Sequence, residues 1–148
     1  MALKTFHIGI KAVIVADDMV LLLQRQDRWN GLSWECPGGR MEDNANIEQT
    51  LRRELDEELP GIAQVTVGPL LHAGQTTQDW AGIGLMLLFY RVQATIPVVT
   101  VSDEHLAHTW ATADDLDRLE RGDGDGVILD YTLIAARAAL NHRTTQPA

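Results

Sequence analysis

Residues 38–62 read GGRMEDNANIEQTLRRELDEELPGI, and the rest of the chain makes sense around this stretch. Ile47, Leu51, Leu55 and Leu59 recur every four residues and form one apolar stripe, so a helix is expected over Asn46 to Leu59. Asn44 or Asn46 can cap its start, and Pro60-Gly61 ends it. At about 100° per residue, with Ile47 as zero, Glu54, Glu57 and Glu58 fall at about 340°, about 280° and about 20°. Three carboxylates therefore share an arc of about 100° at the edge of the buried stripe, with Glu58 nearly on it. Like charges at these spacings repel by about a few tenths of a kcal/mol per pair on an exposed helix, and by more when partly buried. A divalent cation relieves the repulsion, since Mg²⁺ takes carboxylate oxygens together with waters and phosphates. Arg53 can pair with the same carboxylates. A solvated acidic helix face would also carry three glutamates. Pro37-Gly38-Gly39 just upstream separates the two readings, because it is expected to be a turn where backbone can approach a metal or phosphate closely.

Working outward, Ile8 to Ala16 is apolar and β-branched, Asp17-Asp18 reads as a tight turn, and Met19 to Leu23 is a second apolar run, so these form a hairpin. Asp27 to Ser33 is expected to be a loop, and Trp34-Glu35-Cys36 a short extended piece. Val65 to Thr77 and Ile83 to Val92 read as strands joined by a loop over Thr76 to Gly82, with Thr109 to Ala111 a further short strand. Asp114 to Arg121 reads as a short helix, Gly122 to Gly126 as a flexible turn, and Val127 to Leu140 as a second amphipathic helix. The tail from Asn141 is polar and expected to fray. No repeat or linker interrupts residues 1–148. The expectation is one α/β (α+β) domain, with a mixed β-sheet and helices packed on it.

Bulk composition narrows the function. The chain has 148 residues, enough for one good core, with 12 basic and 21 acidic residues and a net charge of −9. That charge argues against a nucleic-acid polymer as partner, but a small phosphorylated ligand remains compatible if a metal supplies the positive charge. The longest apolar run, Ala81 to Tyr90, is too short to span a membrane. The amino terminus lacks an apolar signal core, so a cytoplasmic location is expected. The single cysteine, Cys36, excludes an intrachain disulfide and is expected to be a buried, inert thiol.

The stretch resembles the Nudix box of the Nudix (MutT-like) hydrolases. That pattern is a glycine, five residues, a glutamate, seven residues, then Arg-Glu-apolar-any-Glu-Glu-any-Gly-apolar. Gly39 is the opening glycine, and Arg53-Glu54-Leu55-Asp56-Glu57-Glu58 matches the core in register. Val20 to Arg25, Trp34 to Gly39 and Trp110 to Leu116 also look like the family, so the resemblance spans most of the chain. It implies an α/β/α sandwich and a Mg²⁺-dependent pyrophosphatase, with Mn²⁺ able to substitute. By this resemblance Glu54, Glu57, Glu58 and the Gly38 carbonyl are candidate metal ligands, and Arg53 orients the carboxylates. Either Glu54 or Glu104 takes a proton from water. Arg25 is a candidate contact to phosphate, with Gly39 and Glu42 beside it. The sequence departs from the pattern twice. Ala45 stands at the first glutamate position, where Glu42 is a candidate to stand in, and Leu59-Pro60-Gly61 inserts one residue at the helix end.

The implied substrate is a small nucleotide, most readily a nucleoside triphosphate, including an oxidised one. ADP-ribose and nucleotide sugars are the alternatives. Trp29 and Trp80 fall in expected loops where either can stack on a nucleobase, while Trp34 and Trp110 are expected in the core. Many relatives pair as homodimers. The five histidines, His142 included, show no zinc spacing, and Ser33 and Ser102 lack the setting of a catalytic serine. Two rivals of other classes are a nucleotide-binding module that has lost turnover, which Ala45 favours, and a plain acidic scaffold, which leaves the Pro-Gly-Gly turn without a purpose.

Overall fold

The computed structural model describes residues 1–76 and 80–141. Its core is a mixed sheet in the order β5 (Ala63–Gln75), β6 (Ile83–Thr95), β1 (Thr5–Ala16), β2 (Met19–Asp27), β3 (Gly31–Glu35), β8 (Val127–Ile128), with β4 (Gly38–Arg40) paired to β1 and β7 (Ala107–Ala111) to β2. β1 (Thr5–Ala16) and β2 (Met19–Asp27) form the expected hairpin. Asp17 and Asp18 both take positive φ at its turn, as a two-residue hairpin loop requires. β1 also runs parallel to β6 (Ile83–Thr95), from Thr5 opposite Ile83 to Ile14 opposite Val92. β5 (Ala63–Gln75) flanks β6 at the sheet edge.

Alternation along the central strands builds two cores. Ile10, Ala12, Ile14, Leu21 and Leu23 face α1 (Ile47–Glu58), where Leu51, Leu55 and Leu59 cover them. Val13, Val20 and Leu22 face the other way, into a cluster with Leu116 of α2 (Ala113–Glu120) and Leu133, Ala135 and Ala136 of α3 (Asp130–Asn141). Burial on both faces explains why β1 and β2 read as near-continuous apolar runs. Removing Leu51 and Leu55 of α1 and its C-cap Leu59 from water contributes roughly 1.5–3 kcal/mol each. Asn46 caps α1: its side chain accepts from the Gln49 amide at 2.8 Å, and Gln49 returns a bond to the Asn46 amide at 3.0 Å.

Three expectations need correction. Gly38–Arg40 is not a turn but β4, lying against Gly9 to Lys11 of β1. Gly38 has a φ of 149°, and a Cβ there would strike the Ile10 carbonyl, so only glycine lets the two backbones close up. The expected loop over Asp27 to Ser33 is a turn at Arg28 to Asn30 followed by β3 (Gly31–Glu35), which pairs back onto β2. Val127 and Ile128 do not open the last helix but form β8 (Val127–Ile128), parallel to Ser33 and Trp34 of β3. Gly126, at a φ of 118°, brings them there, since a Cβ would sit 2.8 Å from the Leu32 carbonyl. The expected strand at Thr109 to Ala111 is β7 (Ala107–Ala111). Thr77, part of the loop before Trp80, His142 and the tail beyond it lie outside the described residues. Among the described residues no helix is long and apolar enough to cross a membrane.

Candidate active site

The crossing of β1, β4 and α1 fixes the floor of a cavity of about 760 Å³. Glu54 and Glu58 of α1 line it, as do Gly38 and Gly39 of β4, Lys11 of β1, Arg25 of β2 and Glu35 of β3. Glu104 and His105 reach it from the segment before β7, and Trp29, Trp80 and Tyr131 form part of its wall.

Glu58 lies where the helical rotation places it, on the apolar side, with only 4% of its surface exposed. Its Oε2 accepts a bond from the Gly38 amide at 3.0 Å. Burial drives its pKa up to about 7, against the opposing pull of Lys11 and the Gly38 bond. Glu54 reaches over Gly39. A Cβ on Gly39 would lie 2.5 and 2.6 Å from the two Glu54 oxygens, so the bare glycine backbone leaves the space the carboxylate uses. Arg53 donates to Glu54 Oε1 at 3.0 Å and approaches Glu42 Oε2 at 3.4 Å, and both contacts hold its guanidinium further up in pKa.

The structure thus brings eight of the expected residues to one cavity: Gly38, Gly39, Glu54, Glu58, Arg25, Glu104, Trp29 and Trp80. Arg53, Glu42 and Glu57 stand outside its lining, and Glu42 and Glu57 are exposed. Ala45 is half-buried, its amide 3.3 Å from the Glu42 carbonyl. Among the described residues no three acidic, histidine or cysteine side chains converge as a ready metal cage. The donor set still fits a hard divalent cation. Mg²⁺ is commonly held by one or two carboxylates, with waters and substrate phosphates filling the rest. Glu54 and Glu58 supply two, and the buried, high-pKa Glu58 is the group a cation would relieve.

A charged group that the sequence does not reveal lies on the opposite wall. Glu35 Oε1 lies 2.9 Å from His105 Nε2 and 3.7 Å from Arg25, and Glu35 Oε2 lies 3.8 Å from Lys11. Burial alone would raise the Glu35 carboxyl, but Lys11, the His105 bond and Arg25 overcome it and hold it at about 2. The sequence signal for Lys11 is a lone lysine inside an otherwise apolar run. Glu35 and His105 carry no such signal, because their elements meet only in the fold.

At the mouth, Trp29 and Trp80 meet edge to face with ring centroids 5.5 Å apart. The Arg28 guanidinium sits 5.1 and 5.7 Å from the two ring centres. Trp34 is half-buried: it packs against the α2–α3 core, as expected, and also lines the cavity wall, donating its Nε1–H to the Asp125 carbonyl at 3.0 Å. Trp110 is partly buried against the α1 core. Cys36 is fully buried and its thiol is pushed up to about 12, as an inert thiol should be.

Comparison with known proteins agrees with this geometry. The NUDIX domain family model matches residues 5–131. The uncharacterized Nudix hydrolase YvcI of Bacillus subtilis is 30% identical over 128 residues, covering 82% of this chain and 75% of that protein. An 8-oxo-dGTP diphosphatase of Proteus vulgaris is 40% identical over 57 residues, covering 38% of this chain and 51% of that protein. Among solved structures, a MutT Nudix hydrolase from Burkholderia pseudomallei superposes with a TM-score of 0.69 at 27% identity, covering 91% of this chain and 98% of that one. Box, cavity and family match converge on one conclusion: the chain belongs to the Nudix hydrolases, enzymes that act on phosphoric anhydrides.

Proposed function

We propose that the protein is a Mg²⁺-dependent pyrophosphohydrolase that cleaves a diphosphate linkage in a nucleoside triphosphate, including an oxidised one. The observation that carries this reading is the shared cavity: two carboxylates on α1, two cations on the facing strands and a tryptophan pair at the mouth. The partial likeness to an 8-oxo-dGTP diphosphatase supports the choice of substrate.

In this reading Arg25 and Lys11 meet the phosphate oxygens, and Trp29 or Trp80 offers its face to the base. Glu54 and Glu58 would hold Mg²⁺, with the Gly38 carbonyl beside them and Glu57 joining from the outer edge of the same helix. Bound Mg²⁺ would lower the pKa of water and offset charge on the phosphates. Glu54, steadied by Arg53, or Glu104 from the opposite wall takes the proton as the water oxygen bonds to phosphorus; the bridging P–O bond of the diphosphate breaks and the other phosphate or pyrophosphate leaves with the bridging oxygen and its electron pair.

The test is phosphate and pyrophosphate release from nucleoside triphosphates, oxidised nucleotides, ADP-ribose and nucleotide sugars, with Mg²⁺, with Mn²⁺ and with chelator. Metal-dependent release from a triphosphate bears out the proposal. Release from ADP-ribose or a nucleotide sugar alone moves the substrate class. A folded protein that binds nucleotide and metal but releases nothing supports the second reading, a binding module disabled at Ala45. Glu57→Gln is expected to cut turnover at least tenfold while the fold survives, and wild-type kinetics would remove Glu57 from the donor set.

A further inference from the structure

We propose that His105 is a positioning residue for Glu104, fastening the segment that carries this candidate base to the cavity wall through Glu35. The inference rests on the hydrolase reading above and assigns to that site a residue the family pattern does not supply.

His105 is an unusual residue to bury. Its side chain is 2% exposed, and its Nε2 lies 2.9 Å from Glu35 Oε1. Its Nδ1 is buried and finds no hydrogen-bond partner among the described residues. A ring enclosed for the sake of one bond needs a reason beyond packing. That bond joins two parts of the chain seventy residues apart, β3 and the segment before β7.

Val99 and Val101 pack the chain just upstream against the α1 core, but from Ser102 to Leu106 the segment has few other hydrogen bonds. The Leu106 amide donates to the Gln24 carbonyl at 2.8 Å, which continues the β2–β7 ladder by one residue. The His105 amide closes a turn onto the Ser102 carbonyl at 3.1 Å. The Glu104 amide makes only a long contact, 3.4 Å, to Ser102 Oγ. Glu104 therefore projects beyond the last ladder bond, and its neighbour's imidazole is the anchor across the cavity. The anchor point is itself held, since Lys11 and Arg25 flank the same Glu35 carboxylate. A base must stand within hydrogen-bond reach of the proton it takes, and displacements of about an ångström cost about a hundredfold in rate.

The experiment is a double-mutant cycle on the full chain, using the substrate that wild type hydrolyses best. Glu104→Gln removes the base. His105→Leu keeps the volume and removes the bond, and His105→Gln keeps an amide able to donate to Glu35. Expected for H105L is a fall in kcat of about 10- to 100-fold with KM within about twofold, largely recovered in H105Q. Adding H105L to E104Q should cost no more than about a further twofold, because the base it positions is already gone. Hydrogen exchange of the amides at residues 102–106 in the free, metal-free protein should quicken in H105L and not in H105Q.

If the two losses multiply, His105 acts on something other than Glu104 and the proposal fails. If E104Q keeps wild-type kcat, the proposal fails while the hydrolase reading stands. If wild type hydrolyses no diphosphate at all, both fall together. Should H105L not fold, His105→Asn, polar but too short to reach Glu35, carries the same cycle.

Discussion

Gly39 and Glu54 occupy one space between them: the Glu54 carboxylate lies where a side chain on residue 39 would begin. The backbone of Gly39 has no positive φ, so the constraint is steric and lies wholly in that approach. Gly39→Ala should therefore leave the fold intact and displace Glu54, lowering kcat by at least about tenfold. Steady-state kinetics beside a melting curve would check this, and unchanged turnover would mean Glu54 has room to act from elsewhere.

Glu58 is costly to the metal-free protein, because burial opposes its charge and the Gly38 amide and Lys11 only partly offset it. Glu58→Gln keeps an oxygen for that amide and removes the charge. With chelator at pH 8, the variant should gain about 1–2 kcal/mol, a rise of roughly 2–6 °C in Tm, while with Mg²⁺ supplied its turnover falls at least about a hundredfold below wild type. A lower melting temperature would show that the charged form is already compensated without metal.

Glu35 sets an acid limit. Its carboxyl titrates at about 2 in the folded protein against an ordinary 4.5, so between these values the unfolded chain binds more protons. The contribution of Glu35 is complete above pH 4.5 and is lost as pH falls towards 2, on the order of 3 kcal/mol in all. Urea unfolding at pH 6 and pH 3 should show wild type well above Glu35→Gln at the higher pH, with the gap narrowing at the lower. A gap independent of pH would place the benefit in packing instead of charge.

The tryptophan pair predicts a split between binding and chemistry. Trp29→Ala or Trp80→Ala should raise KM for a base-bearing substrate by about tenfold, with kcat within about threefold. Nucleoside monophosphate should quench the fluorescence of the wild type more than that of either variant. Equal KM values would assign the pair to packing at the mouth.

The parts of this architecture legible in the sequence are those governed by local periodicity. The α1 stripe and the inward lean of Glu58 follow from 3.6 residues per turn, while the sequence leaves the cap open between Asn44 and Asn46 and the structure uses Asn46. The β1–β2 hairpin follows from apolar runs around two aspartates. β4 was not legible, since Gly38-Gly39 has no alternation and its pairing with β1 is a tertiary event. β8 was hidden because Val127-Ile128 continues the apolar composition of α3. The Lys11, Glu35 and His105 group draws one residue from each of three distant segments, so no window of sequence contains it.

β1 lies beside β6 in parallel, and parallel strands cannot be joined by a tight turn. The central pairing therefore waits until residue 92 has left the ribosome, and the cavity wall waits for Tyr131. Such distant pairings are slow to form compared with those of a helical bundle. Until then the apolar run from Ile83 to Val92 lacks its cover, which makes the half-made chain the form most exposed to aggregation and to chaperone capture.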